Sequence, residues 1–316
     1  MASSNLSQLA FVEETVFGTT PASALQILRM TGGQITPTQN TIISQEIRAD
    51  LRAGRPVRTS QMANGEINVE WSASTLDNIL EGMLFNDWAS GSGVDTLVDG
   101  TTQKSFTFED QILDLTPTVF RPFRGCRISS LNLSAALESI VTGSFGVMAA
   151  IPAAPVATST GTGAATAATG TEPWNTVEMV ETLTEGASGG AGTSLARVIG
   201  LDINMTREIR AKMEFGNINA FDLGVSRLIV NGQVQLHFEN STQLTAWQNF
   251  TDRSLTIEFE DLATNSFTIE IPKLKYVGDA EVSQPGVDDD RILTLNFEAY
   301  ALAADPALIR FTRSYV

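Results

Sequence analysis

The chain holds one cysteine and one histidine in 316 residues. Cys126 therefore has no partner for an intrachain disulfide. Metal sites built from several His and Cys ligands are excluded on the same count. A thiol nucleophile or a Ser-His-Asp triad would have to use His237, which falls in mid-strand on a polar face. Cys126, within Arg124-Gly125-Cys126-Arg127, reads as a small packed residue. No run of about 18 apolar residues occurs, so no transmembrane helix is expected. The start, Met1-Ala2-Ser3-Ser4-Asn5, lacks the basic flank and apolar core of a signal peptide, so synthesis in the cytoplasm is expected. There is no P-loop and no dinucleotide fingerprint; the glycines at 161, 163, 186, 189, 190 and 192 lie in low-complexity surroundings. Asp288-Asp289-Asp290 lacks the alternating ligands of an EF-hand and reads as a solvated hairpin tip. No motif singles out a carboxylate pair for glycoside hydrolysis. No catalytic residue, metal or cofactor is expected.

Basic residues are also scarce. Twenty Lys and Arg face 36 Asp and Glu, for a net charge of −16. Residues 1–150 carry 9 basic and 15 acidic side chains, and residues 151–316 carry 11 and 21. Both halves are acidic, which argues against a surface that grips nucleic acid by its phosphates. A surface that nucleic acid passes without sticking remains compatible.

What is present looks like one message given twice. Gln45-Glu46-Ile47-Arg48-Ala49-Asp50 is echoed by Arg207-Glu208-Ile209-Arg210-Ala211-Lys212, 162 positions on. Asn64-Gly65 and the strand to Trp71 are echoed from Asn231-Gly232 to Phe238, 167 positions on. Ile67, Val69 and Trp71 alternate with Glu66, Asn68 and Glu70; Val234, Leu236 and Phe238 alternate with Gln233, Gln235 and His237. Each is a strand with one buried face. Each is followed by apolar residues at spacings of three and four, predicting helices over Thr75 to Phe85 and Gln243 to Phe250. Ser74 or Thr75, and Ser241 or Thr242, are the candidate N-caps.

Further strands are predicted at Ser105–Phe108, Val119–Phe123, Ile128–Leu137 and Val141–Ala149, then at Leu255–Glu260, Ser266–Ile271, Lys275–Val282 and Ile292–Ala301. The expected fold is mainly β: two duplicated sandwich or barrel domains, each with one short flanking helix. The first spans 1–150, with an arm over 1–23 and a long connection over 37–63. An Ala/Thr/Gly-rich linker spans 151–194, interrupted by Trp174, Val177 and Val180, part of which is expected to dock as a strand or turn. The second domain spans 195–316. The connection 37–63 carries Ile42, Ile43, Arg48, Arg52, Arg55 and Arg58. It reads either as a solvated hairpin or as a loop reaching another subunit, with arginines suited to carboxylates.

In combination and order these residues resemble the major tail tube proteins of long-tailed, non-contractile bacteriophages. The likeness rests on Phe11-Val12-Glu13-Glu14-Thr15-Val16-Phe17-Gly18-Thr19-Thr20-Pro21-Ala22, Leu28-Arg29-Met30-Thr31-Gly32-Gly33, Ser44 to Asp50 and Gly65 to Glu70. Glu208-Ile209-Arg210, Asn231-Gly232-Gln233-Val234 and Ile271-Pro272-Lys273-Leu274-Lys275-Tyr276 extend it through the second half, leaving out the central linker.

The resemblance implies a structural virion protein whose rings stack into a hollow tail tube for genome delivery. Loops 37–63 and about 204–230 would touch neighbouring rings or subunits, adding Arg210 and Lys212 to the contact residues. Glu66, Glu70 and Glu239 are candidates for the lumen. Six domains per ring and two per chain imply a trimeric ring, with a hexamer of full chains as the alternative. Expected partners are the tape measure, tail terminator and distal tail or baseplate proteins, with DNA passing through unbound and no membrane. A second reading is a carbohydrate- or receptor-binding double sandwich on a virion surface. It would need exposed aromatic platforms, whereas Trp71 and Trp247 sit on apolar stripes and Trp88 and Trp174 sit near loops. A hydrolase on a β-scaffold has no residue set to support it.

Overall fold

The computed structural model describes residues 6–47, 49–50, 52–167, 172–177, 180–187, 193–195, 197–261, 265–283, 290–302 and 307–314. Strands β1 (Ser7–Glu13), β2 (Gln26–Ile27), β3 (Gly32–Ile43) and β4 (Pro56–Glu70) lead to helix α1 (Asp77–Leu84). Strands β5 (Ala89–Ser90), β6 (Asp95–Val98), β7 (Phe106–Ile112), β8 (Val119–Ala136) and β9 (Thr142–Pro152) complete the first half. The second half has β10 (Val180–Ala187), β11 (Thr193–Ser194), β12 (Val198–Lys212) and β13 (Asp222–His237) before helix α2 (Thr242–Gln248). Strands β14 (Arg253–Glu260), β15 (Ser266–Val282), β16 (Ile292–Ala299) and β17 (Arg310–Ser314) follow. The protein is mainly β, with two short helices.

The strands pair antiparallel throughout, and eight of them run side by side in the order β3-β4-β9-β8-β12-β13-β16-β15. The seam between the halves is β8 against β12, where Leu131 faces Met205 and Leu133 faces Ile203. Period-two alternation separates two faces. Ile35, Ile67, Phe145, Leu131, Leu133, Ile203, Val234 and Leu295 point to one side and are buried. Asn, Gln, Ser, Thr and carboxylates occupy the other.

Strands β8 and β15 are long because their first and later parts serve different neighbours. The first part of β8 pairs with β7, and the first part of β15 with β14. Register shifts at Ile128/Ser130 and Val277/Ala280 bend the strands, as bulges do. Beyond β7 lies β1, and beyond β14 lies β10. Each half thus curls back over its own apolar face. The sequence reading divided each long strand in two, the second at Pro272. That proline, which has no N–H to give, falls where β15 passes from β14 to β16.

Helix α1 buries Ile79, Leu80, Gly82, Met83 and Leu84. At Gly82 a Cβ would lie 2.4 Å from the Phe106 ring, so only glycine lets the helix approach so closely. The helix starts two residues later than expected, and neither Ser74 nor Thr75 caps it; Leu76 is the N-cap. Ser241 does occupy the N-cap of α2 but makes no side-chain cap bond. There Asn240 Oδ1 takes the Thr242 N–H instead, at 2.9 Å.

One apolar core spans both halves. Trp174, from the supposed linker, stacks on Phe259 at 4.9 Å and lies 6.2 Å from Trp71 of the first half. Strand β17 also bridges the halves, pairing with β15 on one edge and β6 on the other. Its Arg313 lies 4.2 Å over Trp88 and meets the carboxylates of Asp77 and Asp95. The supposed linker is anchored at its start too. Ser159 and Thr160 donate to the fully buried Glu109 carboxylate at 2.7 Å. As anticipated from its apolar interruptions, part of this stretch docks as a strand, β10. The N-terminal arm packs on its own half, through β1 on β7. The glycines at 189, 190 and 192, residues 288 and 289 of the acidic run, and residues 303–306 lie outside the described residues.

The echoed hexapeptides do not occupy equivalent places. Arg207 to Lys212 end strand β12, whereas the described residues of the first copy, Gln45 to Ile47, Ala49 and Asp50, lie past the end of β3. Cross-strand partners give the alignment instead. Asn64 faces Thr36 and Asn231 faces Asn204, so Arg207 corresponds in position to Gln39. The Asn-Gly pairs do coincide: Gly65 faces Ile35 and Gly232 faces Ile203. A Cβ would meet the Gln34 carbonyl oxygen at 2.3 Å in one and that of Asp202 at 2.0 Å in the other. Close approach of backbones at the same register requires glycine in both.

Candidate assembly surfaces

Three features stand out: a polar sheet face, two long hairpins and the uncovered outer edges of the eight-stranded sheet. The polar face belongs to the eight-stranded sheet. One row crosses it as Asn132, Asn204, Asn231 and Glu298, and another as Ser134, Asp202, Gln233 and Asn296, each facing the next across strands. Ser134 donates to Asp202 at 2.6 Å and Gln233 to Asn296 at 3.0 Å. These rows line a hollow of about 540 Å³, so the face is concave here. Glu66 and Glu70 of β4 lie on the same face of the sheet, Glu66 taking a hydrogen bond from Ser144. Asp202, Glu281 and Glu298 join them by register. Glu239 does not; it lies past the end of β13 and pairs with Arg197 at 2.7 Å. Alternation reveals the polar face in the sequence, but only the pairing shows which carboxylates share it.

The expected long connection 37–63 is mostly a two-stranded arm, with strand to Ile43, strand again from Pro56, and a loop only over 44–55. Ile42 faces Val57 and Ile43 faces Pro56, so both faces of the arm end in apolar pairs. Ile42 is 62% exposed and Val57 56%. Arg52, Arg55 and Arg58 are exposed and form no ion pair among the described residues. Arg48 lies outside the described residues.

The second hairpin, β12 with β13, lies down on its own chain. Ala220 and Leu223 are buried with Ala150, against Phe17, Met148 and Ile151. The Gln61 N–H donates to the Ile218 carbonyl at 2.8 Å. Asp222 holds Lys212 at 2.6 Å and the buried Arg127 at 3.1 Å. Burial alone would push the Asp222 carboxyl up, but bonds from Lys212 and the Arg127 charge outweigh it and hold the group below the usual carboxylate range. Arg210 is exposed. Arg207, absent from the expected contacts, is buried. It donates from Nε to the Met83 carbonyl at 2.9 Å and lies 4.4 Å over Phe85, at the C-terminal end of α1. A cation suits that end of a helix. The alternation of Leu201, Ile203 and Met205 places Arg207 on the buried face, apart from its exposed neighbours Thr206 and Glu208.

Among the described residues, the two outer strands of the eight-stranded sheet each leave an edge open. Strand β3 pairs with β4 only, and β15 beyond Leu274 pairs with β16 only. A groove of about 670 Å³ flanks the start of β3, lined in part by Gln8, Leu28, Arg29 and Glu70.

Groups able to do chemistry are kept apart. Cys126 is fully buried, and burial pushes its thiol well above the ordinary value. His237, the last residue of β13, is 3.9 Å from the exposed carboxylate of Asp290, which precedes β16. Trp71 and Trp174 are buried, so they offer no exposed aromatic platform.

Residues 4–299 match the family of phage tail tube proteins. No curated protein matches the chain. A β-rich body with open strand edges and exposed apolar hairpins accords with that match, which covers nearly the whole chain. The chain belongs to the phage tail tube proteins, non-enzymatic structural proteins that self-assemble into the tube of the virion tail.

Proposed function

We propose that the two halves are copies of one tube domain and that three chains close a ring of six domains. The observation that carries this is the strand order. The sequence β3-β4-β9-β8 is followed across one seam by β12-β13-β16-β15, with equivalent strands in equivalent places. The added strands agree, β1 on β7 and β10 on β14, as do the helices, α1 on β8 and α2 on β15. The glycines facing Ile35 and Ile203 agree in register. On this reading the second copy begins with β10, inside the Ala/Thr/Gly-rich stretch 151–194. Closed rings of like domains leave no strand edge open, which is the usual resolution of such edges.

The polar face lines the lumen of a non-contractile tail. Glu66, Glu70, Asp202, Glu281 and Glu298 place negative charge there, and Glu239 stands at its rim. Like charge keeps DNA phosphates off the wall so that the genome slides through. The first arm, with Ile42, Ile43, Arg48, Arg52, Arg55 and Arg58, makes contacts between rings, and Arg210 and Lys212 flank the second hairpin's contribution. Tape measure, tail terminator and distal tail or baseplate proteins meet the lumen and the two ends of the tube.

Electron microscopy of the purified chain at rising concentration tests this. The expected result is hollow tubes whose averaged images show three chains and six similar domains in each ring. Six full chains per ring would overturn the trimer, and a persistent monomer would overturn the ring itself.

A further inference from the structure

The seam inside the chain describes the seam between chains. At β8 against β12, Leu133 faces Ile203 and Leu131 faces Met205. The corresponding residues can be read through their other neighbours. Phe145 faces Ile67 and Leu295 faces Val234, each two residues beyond the strand glycine. Leu131 faces Phe145 and Ala280 faces Leu295, so Ala280 stands where Leu131 does, and Val282 where Leu133 does. In the same way Gly65 faces Ile35 and Gly232 faces Ile203, so Ile35 stands for Ile203 and Pro37 for Met205.

Both edges point their backbone groups outward at these residues. The Ser283 N–H donates to Ile292 in β16 at 2.8 Å. Antiparallel strands alternate their bonding direction, so Val282 and Ala280 face away from β16. The N–H groups of Gln61 in β4 and of Trp71, just past its end, donate to Ile218 and Val141, away from β3. The even-numbered residues of β4 therefore serve β3, which leaves the N–H and C=O of Ile35 and the C=O of Pro37 facing outward.

Burial tells the same story. Leu133 and Ile203, at the inner seam, are each 1% exposed. Val282 and Ala280 pack on the core but are only partly buried. Val282 and Ala280 thus lack the cover that Leu133 has, whereas Ile35 is 3% exposed within its own chain and the open groove lies at the start of β3, beside Gly32 and Gly33.

We propose that β15 of one chain pairs antiparallel with β3 of the next, with Val282 against Ile35, Glu281 against Thr36 and Ala280 against Pro37. This rests on the ring reading and specifies its seam. Val282 and Ile35 exchange two backbone bonds, and Ala280 donates to the Pro37 carbonyl. Pro37 returns none, so the seam between chains has one bond fewer than the seam within. Glu281 and Thr36 form the non-hydrogen-bonded pair, whose Cβ atoms approach to about 4.5–5.5 Å on the polar face.

Thr36→Cys/Glu281→Cys tests the register in assembled tubes, because both positions are exposed and the native Cys126 thiol is fully buried. Oxidation, or a short bis-maleimide, is expected to give covalent species ending at three chains. Tubes mixed from the two single variants should give dimers only. Asn132→Cys/Asn204→Cys, the equivalent pair at the inner seam, should link within one chain. Thr38→Cys/Glu281→Cys, two residues out of register, should link at least tenfold less. Tubes that form while the 36–281 pair fails to link, or links no better than 38–281, overturn the seam and leave the ring intact. Absence of tubes from the unmodified chain overturns the ring and the seam with it. A ladder running to six chains supports the seam and overturns the trimer.

Discussion

The hairpin of β3 and β4 stands away from the body, whereas that of β12 and β13 is laid against its own chain. Both are long antiparallel pairs with a glycine at the same register. Their outer ends differ. The first carries apolar pairs on both faces, Ile42 with Val57 and Ile43 with Pro56, and Arg52, Arg55 and Arg58, which form no ion pair among the described residues. The second carries Asp222, which holds Arg127, and Leu223, which fills a small apolar pocket. Docking of the second uses only its flank, since Phe215 at its tip stays fully exposed. The difference teaches that a hairpin's strand register and its end are separable. The register fixes where it leaves the sheet; a few side chains at the end decide what it rests on.

The contrast breaks most sharply at Leu223. Leu223→Ala empties a fully buried site and is expected to cost about 2–4 kcal/mol, read as a lower urea midpoint of the chain. The opposite change belongs to the arm. Ile42→Thr/Val57→Thr keeps β-branched residues at exposed positions, so stability should move by less than about 0.5 kcal/mol. The concentration needed for tubes should nevertheless rise about tenfold or more, equivalent to about 1.4 kcal/mol, as followed by sedimentation. Unchanged assembly would show that the arm makes no contact of consequence. The smallest effect is expected at Asp222. The carboxyl is held low in the folded chain, so its contribution is present above the unfolded pKa of about 4 and is lost as pH falls below it. Asp222→Asn should cost about 1 kcal/mol at neutral pH, because the pair is partly open to solvent and screened. Denaturation curves of the variant and the unmodified chain should converge below about pH 4.

Much of this was legible in the sequence where the signal is local. The alternation of Ile67, Val69 and Trp71, and of Val234 and Leu236, correctly predicts which side chains are buried; Phe238 is only partly so. Both helices fall within two residues of their expected spans. The echoed hexapeptides misled, because a short string carries no register. The Asn-Gly pairs coincide because a neighbouring backbone excludes a side chain at both sites. The stretch 151–194 looked like linker because small polar residues bury little surface. They can still satisfy a buried carboxylate, as Ser159 and Thr160 do at Glu109. The seam between β8 and β12 was invisible, since pairing across 68 positions leaves no local trace. Of the expected site residues, Glu66 and Glu70 share a face with Asp202 and Glu298, while Glu239 stands apart.

Pro37 carries a last consequence, for the chain before it meets its neighbours. An exposed strand is a hazard in a crowded cell, because any other extended segment can add to it. A proline facing outward removes a donor from the middle of that strand. A stray peptide laid along β3 would find a gap in the ladder and little else to hold it. A second copy of the chain brings a whole complementary surface, so it tolerates the gap. The missing donor thus acts as a filter, slowing promiscuous adhesion more than it weakens the intended union.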